Sequence, residues 1–265
     1  MSLIKYLLFC LIAGLITLTV TAAAPGVSAA AGNDAATISG KGLTDIVLPN
    51  KAPTGKALPN KALADNTPIE KTLSKIRTIA SPGTVALTFD DGPSPIYTAQ
   101  VLAILDKYHV KATFFLLGVN AKEYPDLVKK LADDGQVIAN HSQNHHMLTK
   151  LNDAKLESEI VTPQVIINEI IGKKPVCLRY PYGASNAKVQ AAIRDQGIEP
   201  VSMGFNSFDY ERRGVEKMTQ WVLKNAYSGQ VFLFHDKFEQ TVEALPQIIE
   251  GIQKKGLGFS QICEN

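Results

Sequence analysis

Thr84-Val85-Ala86-Leu87-Thr88-Phe89-Asp90-Asp91-Gly92-Pro93-Ser94 is the stretch on which the reading turns. Its first six residues are mostly apolar or β-branched, the composition of a buried strand. Two adjacent carboxylates follow, then a Gly-Pro turn. Next, Ala99–Tyr108 sets Val101, Leu102 and Leu105 on one helical face, and Ala112–Leu117 is again strand-like. A strand, a helix and a second strand in this order predict a parallel pair with a crossover.

The alternation continues to the C-terminus. Strand-like runs recur at Val137–Ala139, Val176–Tyr180, Glu199–Gly204, Gln230–Phe234 and Gly258–Ile262. Helical patterns occupy Pro125–Asp133, Asp153–Ile171, Asn186–Gln196, Val215–Ala226 and Thr241–Lys255, with Asn186 and Asp153 as expected N-caps. About seven parallel strands make an α/β fold. Periodicity leaves a small distorted barrel and an open doubly wound sheet equally available. Both place active-site loops at the C-terminal strand ends.

The strand ends carry the polar residues. Asp90 and Asp91 are expensive to bury as two charges unless a cation is near. Alone, they would read as an acidic turn. His141 and His145, in Asn140-His141-Ser142-Gln143-Asn144-His145-His146, change that reading. They are four apart, so one helical turn or tight loop can aim both at one ion. With Asp91 they form a two-His, one-carboxylate set that leaves a coordination position open. Zinc fits such ligands, and cobalt or nickel also fit. Three further strand ends carry Arg179-Tyr180-Pro181-Tyr182-Gly183, Asp209-Tyr210 and Leu233-Phe234-His235.

The N-terminus reads as a secretory signal over residues 1–30. Met1–Lys5 carries one positive charge, Tyr6–Val20 is uncharged and apolar, and small residues lead to cleavage after Ala29, Ala30 or Ala31. The run is short for a spanning helix, so no membrane span is expected in the mature chain. Cys10 lies well before the cleavage region, which argues against a lipoprotein anchor. Residues 31–80 read as a flexible leader. It repeats Leu48-Pro49-Asn50-Lys51-Ala52 as Leu58-Pro59-Asn60-Lys61-Ala62 and carries seven basic against four acidic residues. A solubilising linker, with a short helix over Ile69–Ile76, accounts for it without a cell-wall affinity. Residues 81–265 form the expected catalytic domain. The whole chain has a net charge of +2, which points to no nucleic-acid partner. Cys177 and Cys263 remain either a disulfide or two buried thiols. Nothing in the sequence fixes the oligomeric state.

The motifs together resemble the NodB-like polysaccharide deacetylases, carbohydrate esterase family four. The resemblance runs from about Gly83 to the C-terminus. It rests on Thr88-Phe89-Asp90-Asp91-Gly92, His141-Ser142-x-x-His145, Arg179-x-Pro181-Tyr182-Gly183, Asp209-Tyr210 and Leu233-x-His235. It implies a distorted (β/α) barrel. It also implies a metal on Asp91, His141 and His145, and Asp90 as general base held ionised by Arg179. His235 is then the general acid, oriented by Asp209. Tyr182 supplies an oxyanion N–H, Leu233 lines the acetyl-methyl pocket, and Pro181 and Tyr210 border the substrate.

Four positions depart from or stand outside the pattern. His146 follows the second metal histidine where the family often has proline, and Tyr210 stands where tryptophan is usual. Gln136 stands where a histidine is frequent, and Trp221, the only tryptophan, falls in a helical pattern. The implied activity is hydrolysis of N-acetyl groups on an N-acetylglucosamine polymer by an exported protein, periplasmic, wall-associated or extracellular. Peptidoglycan is the first substrate, and chitin-like oligomers or exopolysaccharide come next. O-acetyl ester hydrolysis and a silent carbohydrate-binding role are the other classes.

Overall fold

The structure, a computed structural model, describes residues 78–264. The expected signal, and the leader up to residue 77, lie outside the described residues. Ala80 packs among buried neighbours.

The strands are β1 (Thr84–Asp90), β2 (Thr113–Leu116), β3 (Val137–Asn140), β4 (Cys177–Arg179), β5 (Glu199–Val201), β6 (Phe205–Asn206), β7 (Val231–His235) and β8 (Gly258–Phe259). The helices are α1 (Thr98–Lys107), α2 (Gly118–Glu123), α3 (Pro125–Asp133), α4 (Asp153–Ile171), α5 (Ala187–Arg194), α6 (Val215–Lys224) and α7 (Glu239–Lys254). Seven strands run in the order β5-β4-β3-β2-β1-β7-β6, with β8 added to the start of β1. Every pairing is parallel. The sheet curls into a half-barrel with helices around it, as the resemblance implied. β5 and β6 are neighbours in sequence but end the path at opposite edges.

The two-residue period of β1 sorts its side chains between two cores. Val85, Leu87 and Phe89 face the helices, packing with Val101 and Leu105 of α1, Val222 of α6 and Ile248 of α7. Phe89 stacks on Phe114 at 5.0 Å between ring centroids. Each such fully buried side chain stabilises the fold by about 1.5–3 kcal/mol. Ala86 faces the interior with Phe115, Ala139, Cys177 and Val201. Cys177 and Cys263 are joined in a disulfide, with Cα atoms 5.7 Å apart.

Three sequence expectations change. Glu199–Gly204 is not one strand: β5 stops at Val201, and the chain crosses to pair as β6 with β7. Gly204 makes the crossing, with φ of +75° and the Val231 carbonyl where a Cβ would sit. Asn152, not Asp153, caps α4, because its extended backbone lets Oδ1 accept from the Lys155 N–H. Asp153 is the first helical residue. The short helix α2 carried no periodic signal, since six residues are too few to show one.

Candidate metal centre and active site

The C-terminal strand ends bring Asp90, Asp91, His141, His145, Tyr182, Tyr210, Leu233 and His235 to one cleft of about 520 Å³, with Arg179 and Asp209 bonded behind its wall. Asp90 ends β1, Asp91 begins the turn after it, and His235 ends β7. His141 follows β3, and Tyr182 lies in a 3-10 turn after β4. Tight loops hold the ligands: Asp91, Ser142, His145 and Tyr182 all have positive φ, between 59° and 74°. His141 and His145 are thus joined by a loop and not by a helical turn.

Asp91 Oδ1 lies 3.4 Å from His141 Nε2 and 3.3 Å from His145 Nε2. The three ligand atoms sit within 4.8 Å of one another. That oxygen is buried and accepts no hydrogen bond. An unpartnered buried carboxylate oxygen is costly, and a cation between it and the two rings would satisfy it. His141 Nδ1 is 2.9 Å from the Arg179 carbonyl, which can only accept. The ring proton is therefore on Nδ1, and the Nε2 lone pair faces the cluster, as metal ligation requires. The residues fit a divalent metal.

Lys237 Nζ donates to the other oxygen of Asp91 at 2.7 Å. Burial opposes ionisation of Asp91, but with no metal bound the His141 and His235 rings, when protonated, and Lys237 outweigh it and hold its carboxyl well below the usual range. Burial also lowers His145, and the Asp91 charge only partly offsets this.

Asp90 is buried and accepts from Arg179 Nη1 at 2.7 Å. Arg179 is fully buried; it also donates to Thr88 Oγ1 and the Ser202 carbonyl, and lies over the Phe115 ring. On the other side, His235 Nδ1 is 2.8 Å from Asp209 Oδ1. Asp209 Oδ2 accepts from the His235 N–H at 2.6 Å and from the Thr241 hydroxyl at 2.8 Å. Burial pulls the His235 imidazole down, but the Asp209 bond and charge prevail and raise it above the ordinary value.

The cleft is lined by Tyr182, Leu233 and Tyr210, as expected. Pro181 is not among the lining residues; it is buried and opens the turn that presents Tyr182. Met203, Asn206, Lys237 and Phe238 line the cleft without having been picked out from the sequence. Lys237 and Phe238 follow His235 closely, and that adjacency was the available signal. His146 is turned to Glu159 rather than held among the ligands, and Gln136 braces the backbone N–H of Ala112. Trp221 packs beside Phe205.

The polysaccharide deacetylase family matches residues 78–201. A chitooligosaccharide deacetylase of Rhizobium leguminosarum bv. trifolii is 33% identical over 192 residues, covering 67% of this chain and 89% of that protein. The chain belongs to the polysaccharide deacetylase family. A peptidoglycan-N-acetylglucosamine deacetylase of Bacillus cereus is 36% identical over 179 residues; the match covers 66% of this chain and 65% of that longer relative. Among solved structures, the Bc1960 peptidoglycan N-acetylglucosamine deacetylase superposes with a TM-score of 0.66 at 34% identity. That match covers 69% of this deacetylase-family chain and 88% of the solved one. No helix among the described residues is long and apolar enough to cross a membrane.

Proposed function

We propose that this protein is an exported, zinc-dependent deacetylase that hydrolyses the N-acetyl groups of N-acetylglucosamine units in peptidoglycan. The carrying observation is the orphaned Asp91 Oδ1 facing two imidazole nitrogens, flanked by an Asp90–Arg179 pair and a His235–Asp209 pair. Export rests on the signal-like residues 1–30, and the polymer on the peptidoglycan deacetylases among the relatives.

Asp91, His141 and His145 would hold a zinc ion, which when bound would supply the acidity that makes water nucleophilic, taking its pKa from about 15.7 to about 7. The chain's own groups do the rest. Asp90, held by Arg179, takes the proton of the attacking water. The Tyr182 N–H supports the carbonyl oxygen as charge develops on it. The acetyl methyl rests against Leu233. As the amide C–N bond breaks, His235 delivers a proton to the leaving amine, and Asp209 keeps its ring oriented. Acetate and a free amino sugar result. Tyr182 and Tyr210 offer apolar walls with polar tips to the sugar rings.

The test is acetate release by metal-stripped protein with Zn2+, Co2+ or Ni2+ restored. The panel is peptidoglycan, a chitin oligomer, an exopolysaccharide and acetylated xylan. Metal-dependent release from peptidoglycan is expected. Release from acetylated xylan alone would favour the ester reading, and release from no polymer with any metal would overturn the assignment.

A further inference from the structure

Helix α4 buries a stripe made of Leu156, Glu159, Ile160, Pro163 and Ile167. Glu159 is the one carboxylate on it, only 4% exposed. A charge on a buried stripe is costly unless it is fully bonded. Here both oxygens are. Oε2 accepts from the backbone N–H groups of Gln143 at 3.1 Å and Asn144 at 2.9 Å. Oε1 accepts from Asn144 Nδ2 at 2.8 Å and lies 2.8 Å from His146 Nδ1. Burial raises the Glu159 carboxyl, and these partners bring it below its ordinary value.

All four contacts fall on residues 143–146, the loop that spaces His141 from His145. The loop is not regular structure, and Ser142 and His145 have φ of 74° and 59°. Non-glycine residues are strained in that region and persist only where the surroundings enforce them. Other bonds anchor the start of the loop: Asn140 Oδ1 accepts from the Ser142 N–H at 2.7 Å. The His145 N–H bonds within the loop, to Ser142 Oγ. From outside the loop, the Gly118 and Val119 N–H groups of α2 donate to the Ser142 and Gln143 carbonyls at 3.0 Å each, and Glu159 holds the N–H side of its middle and its far side. His146, where a proline would stiffen the chain, provides a side-chain tie to the same carboxylate.

We propose that Glu159 is a positioning residue for the metal centre, clamping the 143–146 loop so that the His141 and His145 rings are already spaced when the ion arrives. The proposal rests on the metal-site reading above. Removing such an outer partner typically lowers metal affinity about 10–100-fold.

The experiment titrates metal-stripped full-length protein with Co2+, following both the dissociation constant and the visible absorption of the bound ion. Folding of each variant is checked by circular dichroism. Glu159→Ala is expected to bind about 10–100-fold more weakly, with an altered cobalt spectrum at saturation. Glu159→Gln, which keeps an acceptor for the backbone N–H groups, is expected to recover part of both. Asn144→Ala combined with His146→Ala leaves the backbone bonds intact and is expected to lose several-fold. This pair decides the matter if Glu159→Ala does not fold. Wild-type affinity and spectrum in the folded variants would overturn the role of Glu159. Failure of the wild-type protein to bind Co2+ or Zn2+ would instead overturn the metal site itself.

Discussion

Asp90 on β1 stands directly across from His235 on β7 in the register of the sheet. Two adjacent parallel strands therefore deliver two titratable side chains at the same height. One is tied to Arg179 and the other to Asp209. The opposite charges of their partners suit the opposite tasks proposed for them, accepting a proton and donating one.

Removing either partner of this pair should cost catalysis without costing the metal. Asp90→Asn and His235→Ala are each expected to lower kcat by about 10²–10⁴-fold. Metal content, measured by mass spectrometry after dialysis, should stay at the wild-type level. A variant that lost its metal along with its activity would contradict the assigned division of labour.

The ligand set makes the converse prediction. Asp91→Ala or His145→Ala should abolish retention of Zn2+ on dialysis, because a two-ligand remnant of the site holds a divalent ion poorly. Isothermal titration of the stripped variants should detect little binding. Undiminished zinc affinity in both would remove these residues from the site.

Asp236 predicts a stability effect that varies with pH. It is fully buried beneath the Asp91-Gly92 turn and accepts from the Thr98 hydroxyl. Burial pushes its carboxyl up to about 7. Between about pH 4 and pH 7 the folded chain keeps a proton that the unfolded chain releases. This contribution is therefore full at low pH, falls as pH rises through that window, and is flat above it. A rise from 3.8 to about 7 weakens the fold by up to about 4 kcal/mol across the window. Asp236→Asn, compared with wild type by urea unfolding of metal-stripped protein, should look relatively more stable at pH 8 than at pH 5. An unchanged difference at the two pH values would refute the shift.

The disulfide joins residues 86 apart in sequence. A cross-link closing a loop of that length stabilises a domain by about 2–4 kcal/mol, chiefly by restricting the unfolded chain. Cys177→Ser should lower the unfolding midpoint accordingly, while the metal affinity stays near wild type, since neither cysteine lines the cleft. Equal stability with and without reductant would count against the bond.

Much of this arrangement was legible before any coordinates. Asp91, His141 and His145 were readable because each sits just past an apolar strand and the two histidines have a ligand spacing. Helix α4 matched its expected span because its ends are punctuated, by the Asn152 cap at one and the left-handed Gly172 at the other. Strand order was not readable, since parallel partners are set by helices packing on the sheet and not by neighbouring sequence. That is why the split of Glu199–Gly204 into β5 and β6 was missed. Pro181 is buried at the start of the turn that presents Tyr182, and a motif position does not say which side of a turn faces the cleft. Glu159 drew no attention for a similar reason: its partners lie 13–16 residues earlier, on a loop whose path only the fold defines.

Arg179 has a further implication. One guanidinium grips Asp90, bonds Thr88, reaches across to Ser202 and lies on Phe115, while the same residue's carbonyl fixes the tautomer of His141. The interior of the half-barrel and the candidate site thus share a single keystone. Drift toward an inactive descendant should therefore begin at His235, whose ring lines the cleft, and not within the buried Asp90–Arg179 pair. An alteration at Arg179 would unsettle the architecture first.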